Sequence, residues 1–238
     1  MNIFITGTSQ YSGKTFITAA LASIMQSLSY KTAVYKPIQL GAFEQNSFLL
    51  APDIAYVKQI DPYLTTECSY LFKNSLSPVL ASEIEKKKIN PKVILKDYSM
   101  LSTRFDVVVI DGTGELMTPI APRFTMANLV NMLNSPLVLV TTPNEQAVNE
   151  VILTVNHAQA MGIKVNGIII NKYPEGCENM SIKTIPRLIE EYTEASVIGI
   201  VKELNGYNEL TPASIIENVL NGVDLEKVFG IKIPKLDI

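Results

Sequence analysis

An α/β fold, doubly wound on a mostly parallel sheet with helices on both faces, is what this sequence predicts, and three observations predict it. Short β-rich runs alternate with longer segments of helical period along most of the 238 residues. The runs are nearly continuously apolar, as a strand must be when helices cover both its faces. Glycine and polar residues collect directly after those runs, at the edge where open parallel sheets hold their ligands.

Each element has its own justification. "NIFITG" is a β-branched, apolar run, and the helical period of residues 13–28 follows it, opened by Ser12 and Gly13. "KTAVYKP" gives the second strand, before a helix expected over residues 47–59. The segment from about 60 to 105 is less regular. It is expected to hold two helices, near residues 77–87 and 90–102, with Pro78 and Pro91 in their first turns, where a missing N–H costs nothing. "DVVVIDG" is the most hydrophobic strand. "PLVLVTT" then leads through Pro143 and Asn144, read as turn and cap, into a helix over 145–160 that Gly162 closes. "VNGIIIN", a helix over 179–193 and "SVIGIV" complete the succession, with crossover lengths suited to parallel pairing. No repeat, low-complexity stretch or composition shift marks a linker, so residues 1–238 read as a single domain.

Composition excludes several functions. A net charge of -3 speaks against a nucleic-acid partner, because a phosphate backbone is held by concentrated Lys and Arg. The basic run Lys86–Lys88 reads as a solvated helix end. The stretch Phe16–Met25 is about half of what spans a bilayer, and the N-terminus shows no secretory pattern, so a cytoplasmic protein without membrane contact is expected. Cys68 and Cys177 read as free structural thiols, and His157 as a satisfied structural histidine within a helix.

The chemistry lies in four loops at one sheet edge: "GTSQYSGKT", "YKPIQLG", "VVVIDGTGE" and "IIINKYPEG". In the first, glycine lets successive N–H groups converge on an anion, and the following helix adds its positive end. Lys14 would reach the outer phosphates of a nucleotide, and Thr15 would offer its hydroxyl to Mg²⁺. Asp111 ends the most hydrophobic strand, where a carboxylate is costly unless it faces a cation, and it is assigned to the metal. Asp53 in "APDIAYV" stays open on physical grounds between a helix N-terminal carboxylate and a functional one. Five residues separate Gly7 from Gly13, where the common phosphate-loop pattern has four.

The stretches "ITGTSQYSGKT", "YKPIQLG", "VVVIDGTGE" and "IINK", in this order and spacing, resemble dethiobiotin synthetases, enzymes of the P-loop NTPase type whose phosphate loop has the same five-residue interval. The resemblance runs from Met1 to about Leu220. It implies a ligase of biotin biosynthesis, dependent on ATP as co-substrate and on Mg²⁺, that joins CO2 or bicarbonate to the diamine 7,8-diaminopelargonate. The products would be the cyclic urea dethiobiotin, ADP and phosphate. By motif position it implies Lys14 and Lys36 as catalytic residues, and Thr15, Asp53 and Asp111 as metal ligands. The nucleotide site would also take in Tyr11, Ser12, Gly13, Gly112, Thr113, Gly114, Asn171 and Lys172, with Asn171 reading adenine. Gln10, Lys36, Leu40 and Asn149 would meet the substrate, Asn149 near a helix N-terminus that receives the substrate carboxylate across a homodimer interface. The chain differs from the family pattern at Gln10, Tyr11, Leu40, Asp111, Glu145 and Lys202, mostly on the substrate side.

Three other readings compete with it. A ParA-like switch ATPase would carry an additional lysine early in the loop, where this chain has Thr8, Ser9 and Gln10, and its C-terminal "VFGIKIPKLDI" is short and weakly amphipathic for a membrane helix. A cobyrinate-type amide ligase shares the loop after the second strand but takes ammonia from a glutaminase domain with a Cys and His pair, for which the chain makes no provision. A nucleotide kinase would need an arginine-rich lid, and the only arginines are Arg104, Arg123 and Arg187.

Overall fold

A computed structural model describes residues 1–204 and 210–233. In chain order the first half holds β1 (Asn2–Gly7), α1 (Lys14–Ser27), β2 (Thr32–Gln39), β3 (Phe43–Gln45), β4 (Phe48–Leu50), α2 (Pro52–Ile60), β5 (Thr65–Leu71), α3 (Pro78–Ile84), α4 (Pro91–Arg104) and β6 (Val107–Glu115). The second half holds β7 (Pro119–Ala121), β8 (Phe124–Thr125), α5 (Met126–Met132), β9 (Leu137–Thr141), α6 (Ala147–Ala160), β10 (Val165–Tyr173), α7 (Met180–Lys183), α8 (Ile185–Tyr192), β11 (Val197–Lys202), α9 (Pro212–Gly222) and α10 (Leu225–Phe229).

Seven strands form one sheet in the order β11-β10-β9-β1-β6-β2-β5, and every neighbouring pair is parallel. The alternation of side chains along each strand sorts the core into two layers. Phe4, Val108, Ile110, Leu137, Leu139, Ile168 and Ile170 face one side, against α3 to α6 and α8. Ile3, Ile5, Val107, Val109, Val138, Val140 and Ile169 face the other, against α1, α2, α9 and α10. The expected doubly wound sheet is therefore present, with both faces dry.

Several boundaries differ from the sequence expectation for identifiable reasons. Residues 47–59 do not form one helix: Asn46 and Ser47 take φ of 51° and 67°, the left-handed pair of a tight hairpin turn between β3 and β4, and α2 starts only where Pro52 fits the first turn. The irregular segment contains β5, whose polar "TTECSYL" suits a strand paired on one side only. Helix α6 starts at Ala147 rather than residue 145, while Asn144 Oδ1 accepts from the Gln146 N–H at 2.8 Å. Pro186 limits the expected 179–193 helix to α7 and α8, which meet at Thr184. His157, half-buried near the end of α6, has no partner for Nε2 and is not the satisfied histidine expected. The expected end of the chain from residue 234 onward lies outside the described residues.

Candidate active site

The carboxyl ends of β1, β2 and β6 open into a cleft of about 930 Å³. Its floor is the loop from Gly7 to Thr15. Gly13 caps α1 with φ of 88°, a conformation glycine adopts without strain, and any side chain there would run into Asn171 Nδ2. Gly7 has no more room, since a Cβ would collide with Ser12 Oγ. Tyr11, exposed, also has positive φ, at 60°. Two residues at the tip of β10 hold this strained loop: Asn171 donates Nδ2 to Ser12 O at 2.9 Å, and Lys172 donates Nζ to Tyr11 O at 2.9 Å.

Lys14 emerges at the start of α1, where its Nζ donates to Ser9 O at 3.3 Å. Burial pulls its pKa below the ordinary lysine value, opposed chiefly by Asp111 and Glu115. The second lysine is held harder. Lys36 Nζ, 4% exposed, lies 2.6 Å from Asp53 Oδ2 and 2.9 Å from Asp111 Oδ2, and it also donates to Gly112 O at 3.3 Å. Burial alone would lower its pKa; Asp111 and Asp53 together outweigh that and hold it above the ordinary value, so the ammonium is charged at any working pH. Pro37, beside it, is passed over in the pairing of β2 with β5, whose register runs from Lys36 opposite Cys68 to Ile38 opposite Tyr70, and the pairing of β2 with β6 has already ended at Tyr35.

Asp111, 1% exposed, receives Thr15 Oγ1 at 3.0 Å on the same oxygen that meets Lys36. Its other oxygen, Oδ1, is buried without any partner. An orphaned carboxylate oxygen beside a threonine hydroxyl and a second carboxylate is a hard donor set of the kind Mg²⁺ takes, and the residues present fit that ion. Among the described residues no group of three His, Cys, Asp or Glu gathers as a self-sufficient metal cage. A metal held here would therefore draw its remaining ligands from phosphate and water, as Mg²⁺ commonly does.

Of the residues singled out from sequence, Gln10, Tyr11, Gly13, Lys14, Thr15 and Lys36 line the cleft, as do Leu40, Asp53, Gly112, Thr113, Gly114 and Lys172. Ser12, Asp111 and Asn171 lie buried directly behind that lining. Thr113 Oγ1 donates to Ile38 O, and Thr6 Oγ1 to Gly114 O, which ties β6 to its neighbours at the cleft edge. Asn149 stands apart: it is exposed in the first turn of α6 and does not line this cleft. Sequence reasoning missed Glu115, Gln39 and the wall from Ser75 to Pro78 together with Met117 to Pro119. Glu115 stood in a quoted motif, but its type and position alone do not separate a cleft carboxylate from a turn residue.

A family model described as an AAA domain matches residues 1–211. The ATP-dependent dethiobiotin synthetase BioD of Anoxybacillus flavithermus is 33% identical over 207 residues, which cover 86% of this chain and 93% of that relative. Its counterpart in Clostridium perfringens is 28% identical over 239 residues, covering 96% and 98%. Among solved structures, the MinC:MinD cell division protein complex of Aquifex aeolicus matches with a TM-score of 0.63 at 14% identity, over 99% of this chain and 98% of that one. A McdA–ATP complex from Cyanothece matches with a TM-score of 0.62, also at 14% identity and over 99% and 98% of the chains. At such identities these two likenesses concern the fold alone, whereas the synthetases match in sequence over most of their length. With the phosphate loop, the paired lysines and the carboxylates at one cleft, the chain belongs to the dethiobiotin synthetase family, ATP-dependent ligases of biotin synthesis.

Proposed function

We propose that the protein carboxylates 7,8-diaminopelargonate with CO2 and closes the cyclic urea of dethiobiotin, converting ATP to ADP and phosphate with the help of Mg²⁺. The observation that carries this reading is the Lys36 ammonium, buried between Asp53 and Asp111 beside the phosphate loop. The reaction must bring a carbamate against a triphosphate. Two like charges about 4 Å apart repel by about 4 kcal/mol at an effective dielectric near 20. Lys14 on one side and Lys36 on the other offset that repulsion, and both are fixed before substrate arrives, so little reorganisation is needed during reaction.

In the proposed sequence one amine of the substrate adds to CO2 and loses a proton to give a carbamate. A carbamate oxygen then attacks the γ-phosphorus, breaking its bond to the β–γ bridging oxygen and releasing ADP. The second amine attacks the carbonyl carbon of the mixed anhydride, and phosphate leaves as the ring closes. Backbone N–H groups from Gly13 to Thr15 would cradle the phosphates, and Lys14 would follow the outer ones. Thr15, Asp53 and Asp111 would hold Mg²⁺, which when bound supplies positive charge to the phosphate oxygens. Lys36, anchored at Gly112 O, would stabilise the carbamate. Asn171 and Lys172, already in contact with the loop, would border the base, and Gln10 and Leu40 the diamine.

The exposure of Asn149 away from this chain's own cleft supports a role across a two-fold interface, so a homodimer belongs to the proposal; equilibrium sedimentation at micromolar concentration should give twice the chain mass. The test of function is phosphate release from ATP with Mg²⁺ and bicarbonate. Release should depend on added diamine; release at the same rate without it would sink the reading.

A further inference from the structure

We infer that Glu115 is the docking carboxylate for an ammonium group of the diamine, an inference that rests on the proposed function. Glu115 ends β6 four positions past Asp111, lines the cleft and is half-buried. Among the described residues no cation lies within ion-pair distance of it, whereas Asp53 and Asp111 share Lys36. Its only side-chain hydrogen-bond partner there is the Thr118 hydroxyl, which donates to Oε2 at 3.3 Å. A half-buried carboxylate facing a substrate cleft with a single neutral donor has unused capacity for a charge-assisted bond.

Its position is built, not incidental. The Glu115 N–H donates to Thr118 Oγ1 at 2.8 Å, and the Thr118 N–H returns to Glu115 O at 3.0 Å, closing a turn. Gly114 enters that turn with φ of 72°, and a Cβ there would collide with Thr118. The turn is pinned from behind, where Met126 N donates to Thr118 O at 2.9 Å and Ala127 N to Leu116 O at 2.7 Å. The carboxylate is thus presented from a rigid frame, which lowers the entropy lost on binding.

The surroundings choose the ligand. The same cleft is lined by Leu40, Leu76, Pro78, Met117 and Pro119, of which Leu76 is 46% and Met117 50% exposed. Hydrocarbon next to one unpaired carboxylate suits an aliphatic chain bearing an ammonium, and diaminopelargonate carries both. Lys14, whose ammonium feels Glu115 from within the same cleft without forming an ion pair with it, serves the opposite charge, a phosphate.

Glu115→Gln keeps size and hydrogen bonding to Thr118 but removes the charge. Steady-state kinetics should show KM for the diamine raised at least tenfold, with kcat within threefold and the ADP dissociation constant unchanged. Glu115→Asp should recover part of the loss, and Thr118→Val, which removes both the acceptor of the Glu115 N–H and the donor to its carboxylate and so loosens the frame, should raise KM severalfold. Calorimetric titration of the diamine into the ADP-bound protein should show the same loss without turnover. An unchanged diamine KM in Glu115→Gln overturns the inference, as does a loss that tracks ADP or Mg²⁺ affinity instead. Should wild-type protein release phosphate without diamine dependence, the proposed function falls first and the inference with it; diamine-dependent release with an indifferent Glu115 removes the inference alone.

Discussion

Lys36 carries two opposed free energies. Taking an ammonium out of water costs several kcal/mol, and two carboxylates within 3 Å return it. Removing the cation while Asp111 stays buried leaves an uncompensated charge, so Lys36→Met should lower stability by about 3–5 kcal/mol in urea titrations. The half-exposed partner, Asp53, contributes less of that. The sign with pH follows from a folded pKa above the ordinary 10.5. The stabilisation from Lys36 is complete below pH 10.5 and is lost as pH rises through the folded value. The gap between wild type and Lys36→Met should therefore stay constant from neutral pH to about 10 and narrow above it; a gap that widens there would contradict the pairing. Cys68 gives a second residue-scale expectation, because burial pushes its thiol up to about 11. In a Cys177→Ser background, alkylation by iodoacetamide should remain slow at pH 8 and accelerate only toward that value. Lys14 was legible from the glycine loop before it and Asp111 from its place at the end of the most hydrophobic run, whereas Lys36 was assigned through its motif position in the family resemblance. Asp53 was not decided there, since a helix N-terminal carboxylate needs no further reason, and its approach to Lys36 is a tertiary fact.

Among the elements, β1, β2, β6, β9, β10 and β11 were readable because a strand covered on both sides has to be apolar at nearly every position. Strand β5 escaped that logic as an edge strand, and the β3–β4 hairpin escaped because three-residue strands show too little alternation to count. Helices α5, α9 and α10 lay in stretches for which no helix was expected, although Thr125 and Thr211 form capping boxes that the sequence signal of Ser or Thr with Glu or Gln does not include, the third residues being Asn128 and Ser214. The hairpin turn offers a direct test of backbone cost. Ser47 holds φ of 67°, where glycine is free of penalty, so Ser47→Gly should raise stability by about 0.5–1 kcal/mol in chemical denaturation. The reverse holds at Gly13, where Gly13→Ala should abolish nucleotide binding, measured with a fluorescent ADP analogue, through its positive φ and its collision with Asn171.

At the scale of the molecule, both layers of the core converge on strands whose ends build the cleft, so ligand binding and global stability are linked. A ligand at a hundred times its dissociation constant adds about 2.7 kcal/mol, which for a chain of this size is a rise of about 5–10 °C in Tm. Scanning calorimetry with Mg²⁺ and ADP should show it for wild type and for Glu115→Gln alike, and a much smaller rise for Gly13→Ala. The amide of Asn171 has a further consequence, because it reaches Ser12 across 159 positions of chain. During synthesis the ribosome releases the whole glycine loop long before the strand that props it exists. Until β10 docks, that loop possesses its letters without its curvature. A chain cut after residue 164 should bind no ADP even if β1 and α1 form within it, and nucleotide affinity should arrive as a single late event in folding.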